Sequence, residues 1–116
     1  MDARIVFTLG WVLMLAAGTA FAGPVTSKPD PEHGKELARR LCSNCHLVQS
    51  GQQHANVDIP SFHEIANKEG QTEGAIMARI IIPKHPMPVI PVTKSELADL
   101  AAYIMTLRDP EKRLES

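Results

Sequence analysis

The chain is poor in aromatics: one Trp, one Tyr and three Phe in 116 residues. Three of these, Phe7, Trp11 and Phe21, fall in the first 22 residues, so the remainder keeps only Phe62 and Tyr103. A domain this small with two aromatic side chains builds a thin core unless something else fills it. Cysteine is almost absent. The only two, Cys42 and Cys45, lie three positions apart, so no cysteine is left over for a long-range structural disulfide. Excess positive charge is also lacking. Twelve basic against thirteen acidic residues give a net charge of −1 with neutral histidines, which argues against binding to nucleic acid or an anionic membrane. Neither strand-like alternation nor an internal repeat is visible, which leaves an all-α chain.

What is present begins with Cys42-Ser43-Asn44-Cys45-His46. C-x-x-C-H is the spacing of a covalent attachment site for c-type haem. Two thiols on one face of a helical turn reach the two vinyl groups of a porphyrin edge. The histidine that follows is carried to the iron, so the motif specifies a cofactor and one axial ligand together. Other readings of the two cysteines are weaker. A redox-active C-x-x-C pair expects a βαβ context. A structural zinc site needs a second Cys or His pair, and His33, His54, His63 and His85 are scattered.

The N-terminus reads as a secretory signal peptide over residues 1–22. Arg4 supplies the positive region, Ile5 to Ala17 the apolar stretch, and Ala20-Phe21-Ala22 a small-x-small cleavage site before Gly23. The expected domain is then 23–116, with 11 basic and 12 acidic residues and still a net charge of −1. Membrane association is expected only if the segment is left uncleaved.

Asp30-Pro31 predicts an N-cap followed by Pro at the first helical position, with a helix running into the cysteine motif. Leu37, Ala38 and Leu41 form its inner face, and Arg39 and Arg40 lie on the other side. Leu47 to Asp58 predicts a loop, with His54 as a surface residue. A short helix is expected over Ile59–Ala66, with Ser61 and Glu64 as a capping box. Thr72 caps a third helix with Ile76, Met77, Ile80 and Ile81 as its stripe, and Pro83 stops it. Residues 83–91 carry four prolines, which exclude helix and stiffen the segment. Thr93 and Glu96 form a second capping box, opening a helix from Lys94 to Leu107. Leu97, Leu100, Ala101, Ile104 and Leu107 are its buried stripe, with Tyr103 at the border. The tail from Glu111 to Ser116 is expected to fray.

Met87 is the candidate for a second axial ligand. Its thioether is soft and uncharged, and a proline-stiffened loop is an odd place for a packing methionine. Met77 and Met105 read as core. His85 is the rival ligand and would give a lower reduction potential.

With these pieces assembled, residues 30–108 resemble a small class I c-type cytochrome. The resemblance rests on Gly34, Cys42 to His46, Pro60-Ser61-Phe62, Met87-Pro88 and Leu97 to Ile104. It implies an all-α cytochrome c-like fold of about four helices wrapped around one covalently attached haem c. It also implies thioether bonds from Cys42 and Cys45, iron ligation by His46 and Met87, and a Pro60 carbonyl that accepts the His46 N–H. Gly34 and Tyr103 match the close crossing of the first and last helices. Ala38 departs from the pattern, because an aromatic often stands there, and Leu37 and Leu41 are the side chains left to fill the space. The implied function is a one-electron carrier, not an enzyme, exported to a bacterial periplasm, where c-type haem is attached. It would meet a redox donor and an acceptor transiently, with Lys68, Arg79, Lys84 and Lys94 as a candidate docking rim. The alternatives are a haem sensor, a cytochrome subunit of a larger redox enzyme, and a haem-free thiol oxidoreductase.

Overall fold

In the computed structural model, residues 27–115 and the isolated Gly18 are described. The expected signal segment, residues 1–22, therefore lies almost wholly outside the described residues. Among those that are described, no helix is long and apolar enough to cross a membrane.

Helix α1 spans Pro31–Leu41, α2 Phe62–Asn67, α3 Glu73–Ile81, α4 Lys94–Thr106 and α5 Pro110–Arg113. No strand occurs among the described residues. The all-α expectation holds, with a fifth short helix added to the four foreseen.

The helix starts follow from local chemistry. The Asp30 carboxylate accepts from the N–H groups of Glu32 and His33 at 3.0 and 3.3 Å, with Pro31 at the first helical position. Ser61 and Glu64 form a reciprocal capping box, as do Thr93 and Glu96, while Thr72 accepts from the Ala75 N–H. Because Ser61 is itself the extended N-cap residue, α2 opens at Phe62 rather than at Ile59.

α1 packs chiefly on α4, and α3 and α2 pack on α4 as well. The α1–α4 crossing depends on Gly34. A Cβ there would collide with the Asp99 carbonyl and lie 2.9 Å from the Tyr103 Cβ. Beside it, Asp99 is buried and bridges the two helices. One of its oxygens accepts the Asp30 N–H at 2.7 Å, and the other lies 2.7 Å from His33 Nδ1. The His33 hydrogen bond, then the Asp30 N–H, hold the Asp99 carboxyl below its usual range, and the same bond raises the His33 imidazole.

Ala38 is fully buried at the interface, Leu37 is fully buried in the core and Leu41 packs against it, so leucines fill the space around the missing aromatic. Tyr103 is not at the border of α4 as expected. It is buried, 6.4 Å from the Phe62 ring, because its hydroxyl donates to the buried Val48 carbonyl at 2.6 Å. Ile81 leaves the α3 stripe. It is 59% exposed, while Ile76 is buried and Met77 and Ile80 half-buried. One residue past Ile80 turns the side chain about 100° away from the packed face.

Within the described residues the tail does not fray from Glu111 on, because a short helix continues to Arg113. Arg113 donates to the Arg108 and Thr106 carbonyls at 2.9 and 3.0 Å, satisfying groups left unpaired at the end of α4. The Lys112 amine donates to the Asn67 carbonyl at 2.6 Å. Asn67 fastens α2 to the same corner. Its side chain accepts the Asp109 N–H at 2.8 Å and donates to the His63 and Leu107 carbonyls.

Candidate functional site

The cysteine motif leaves the end of α1 as a closed turn. Cys42 is the C-cap, its N–H donating to the Ala38 carbonyl, and its own carbonyl accepts from Cys45 at 3.2 Å and His46 at 2.9 Å. Cys42, Cys45 and His46 thus come out on one wall of a cavity of about 1140 Å³. Pro60, Phe62 and Ile65 extend that wall, Ile76 and Ile80 of α3 and Leu100 and Ile104 of α4 add to it, and Pro86, Met87, Pro88 and Ile90 complete it. All five residues singled out from sequence, Cys42, Cys45, His46, Pro60 and Met87, therefore line one cavity.

His46 is oriented from behind. Its Nδ1 lies 2.7 Å from the Pro60 carbonyl, which can only accept, so the proton sits on Nδ1 and the Nε2 lone pair is free to bind a metal. The Phe62 ring, 5.4 Å away, packs beside the imidazole. Met87 is half-buried in a turn closed by its N–H to the Lys84 carbonyl at 3.0 Å. Of the other candidates, His85 and His54 are exposed and off the cavity wall, and Met77 and Met105 pack against the core.

Cys42 and Cys45 are not joined to each other in a disulfide. Burial, then the neighbouring Cys45, push the Cys42 thiol up to about 11.

Sequence reasoning missed Gln52. Its amide nitrogen contacts the Ser43, His46 and His54 carbonyls at 3.0, 2.8 and 2.7 Å, and its oxygen accepts the Val48 N–H at 3.0 Å. One side chain thereby holds the 47–58 loop against the cysteine turn. Nothing local marks it, beyond a glutamine set beside Gly51, which turns the chain with φ +77°.

The four basic residues of the expected rim separate. Lys68, Arg79 and Lys84 line the cavity, whereas Lys94, in the first turn of α4, does not.

A mostly apolar cavity with two thiols, a free imidazole nitrogen and a thioether on its walls fits a porphyrin that needs two covalent anchors and two soft or nitrogenous ligands. The comparisons agree. A family model described as Cytochrome c matches residues 31–108. The chain is 34% identical over 99 residues to cytochrome c-552 of Bradyrhizobium diazoefficiens, covering 85% of this chain and 93% of that protein. No solved structure matches.

Proposed function

This chain belongs to the cytochrome c family and its cofactor is covalently bound haem c; from that premise we propose that it is a monohaem one-electron carrier, working outside the cytoplasmic membrane between a redox donor and an acceptor. Cys42 and Cys45 would hold the haem through thioether bonds, and His46 and Met87 would bind its iron. Haem c supplies the one-electron iron couple.

The chain's residues do the rest. Pro60 accepts the His46 N–H, fixing the tautomer and the direction of the ring. Met87 offers an uncharged thioether that favours the reduced state and raises the potential. Ile76, Ile80, Leu100 and Ile104 give the apolar wall that keeps water away. With both His46 and Met87 engaged in holding the group, neither side chain would leave room for a substrate to bind there, which favours electron exchange over catalysis. Partners meet it through small, short-lived interfaces. The export-type N-terminal sequence supports a periplasmic location.

The observation that carries this reading is that Met87 lines the same cavity as the cysteine motif. Visible spectra of wild type and Met87→Ala, oxidised and reduced, test it. The ferric wild type is expected to show the weak far-red band of methionine sulfur on iron. In Met87→Ala that band is lost, the reduction potential falls, and the reduced protein binds carbon monoxide. An unchanged spectrum would remove Met87 from the iron and favour the sensor reading.

A further inference from the structure

After Leu41 the backbone leaves the helix, and the carbonyls of the cysteine turn lose the partners that a continued helix would supply. The Cys45 carbonyl is taken by the Asn56 N–H at 3.1 Å. Among the described residues no backbone N–H reaches the Ser43 or His46 carbonyl. The half-buried Gln52 takes both, at 3.0 and 2.8 Å, and its amide nitrogen also lies 2.7 Å from the His54 carbonyl. Its oxygen accepts the Val48 N–H at 3.0 Å. Only one orientation of the amide suits this set, because carbonyls can only accept and an N–H can only donate. His46 is thereby held at three points: its N–H by the Cys42 carbonyl at 2.9 Å, its carbonyl by Gln52, and its ring Nδ1 by the Pro60 carbonyl at 2.7 Å. Pro60 follows the loop that Gln52 fastens, so the direction of the ring depends on that loop staying shut.

We propose that Gln52 is a positioning residue for His46: it clamps the backbone that carries the imidazole and keeps the 47–58 loop closed over the His46–Pro60 hydrogen bond, fixing the direction from which the ring meets the haem iron. The inference rests on the reading that His46 binds that iron. The role is specific to a carboxamide. A glutamate in its place keeps the length and the acceptor for Val48, but turns a carboxylate oxygen toward three carbonyl oxygens, where every contact is repulsive. A methionine keeps the length and gives up both functions. Without the clamp the Ser43 and His46 carbonyls turn to water, the loop opens more often, and the imidazole N–H is exposed with it.

The experiment is nuclear magnetic resonance of the haem-loaded protein, for wild type, Gln52→Glu and Gln52→Met, with Gln53→Met and Asp30→Ala as controls. Gln53 is exposed in the same loop and makes no side-chain hydrogen bond among the described residues. Asp30→Ala strips the cap from the far end of α1, and so destabilises the protein without touching the motif. Two signals are read: the hyperfine-shifted ring protons of His46 in the ferric protein, and solvent exchange of the His46 Nδ1–H in the reduced protein. Both Gln52 variants are expected to move the ring signals and to exchange the Nδ1–H roughly tenfold faster or more, while both controls keep wild-type values. Ring signals and exchange equal to wild type in Gln52→Met would overturn the proposal. The same changes in Asp30→Ala would overturn it too, since lost stability alone would then account for them. Failure of both Gln52 variants to give folded, haem-loaded protein would replace it with a role in folding. A wild type whose His46 ring shows no hyperfine shift would instead overturn the ligand reading, and this proposal with it.

Discussion

Tyr103 carries two tasks at once. Its ring packs on Phe62, itself beside His46, and its hydroxyl donates to the Val48 carbonyl at 2.6 Å. In a chain with so few rings, this one joins the last helix to the wall that holds the proximal histidine. Tyr103→Phe keeps the ring and removes the donor, leaving a buried carbonyl unpaired. The expected loss is about 1–2 kcal/mol of stability, read from the urea midpoint of the haem-loaded protein, with the spectrum unchanged. The same residue shows what the sequence could reveal. Its place in the stripe of α4 was legible, but its partner lies 55 residues away and no local pattern points to it. Asn67 escaped for the same reason, since it reaches Leu107 and Asp109 across 40 and 42 positions, whereas Gln52 binds backbone groups within 9 positions, in a loop with no period to mark it.

Among the elements, the legible signals were those with partners within three residues. The caps Asp30, Ser61, Thr72 and Thr93 announced four helices at or near their starts, and the prolines of 83–91 announced the segment that carries Met87. How the helices join was less visible. The His33–Asp99 bridge spans 66 positions and ties the first turn of α1 to α4. Its contribution has a definite pH window. The His33 value is raised, so its share is complete below the unfolded value of 6.5 and is lost as pH rises through the folded one. The Asp99 value is lowered, so its share is present above the unfolded value of 3.8 and is lost as pH falls through the folded one. The difference in urea midpoint between wild type and His33→Gln is therefore expected to be greatest between these two values. It narrows on either side, and a gap constant with pH would contradict this account.

For the whole molecule, the cavity of about 1140 Å³ dominates. It is large beside a core whose only two aromatics are Phe62 and Tyr103, and its walls draw on α2, α3, α4 and the Met87 loop together. A ligand that binds only the folded chain stabilises it by linkage, and here the ligand completes the core. The double variant Cys42→Ser, Cys45→Ser, which cannot form the thioethers, is expected to lose its cooperative thermal transition by circular dichroism, while the haem-loaded wild type melts sharply. The site itself was the most legible part of the chain, because C-x-x-C-H fixes its chemistry within five residues. The basic residues were the least legible, since position alone could not tell Lys84, on the cavity wall, from Lys94, off it.

The tight seam at Gly34 has a further consequence, in the order of assembly. The face that α1 buries is covered mainly by α4, the last long helix of the chain. Until α4 docks, α1 and the cysteine turn that ends it are uncovered on that side, so the closing of this one seam is the step that completes the chamber.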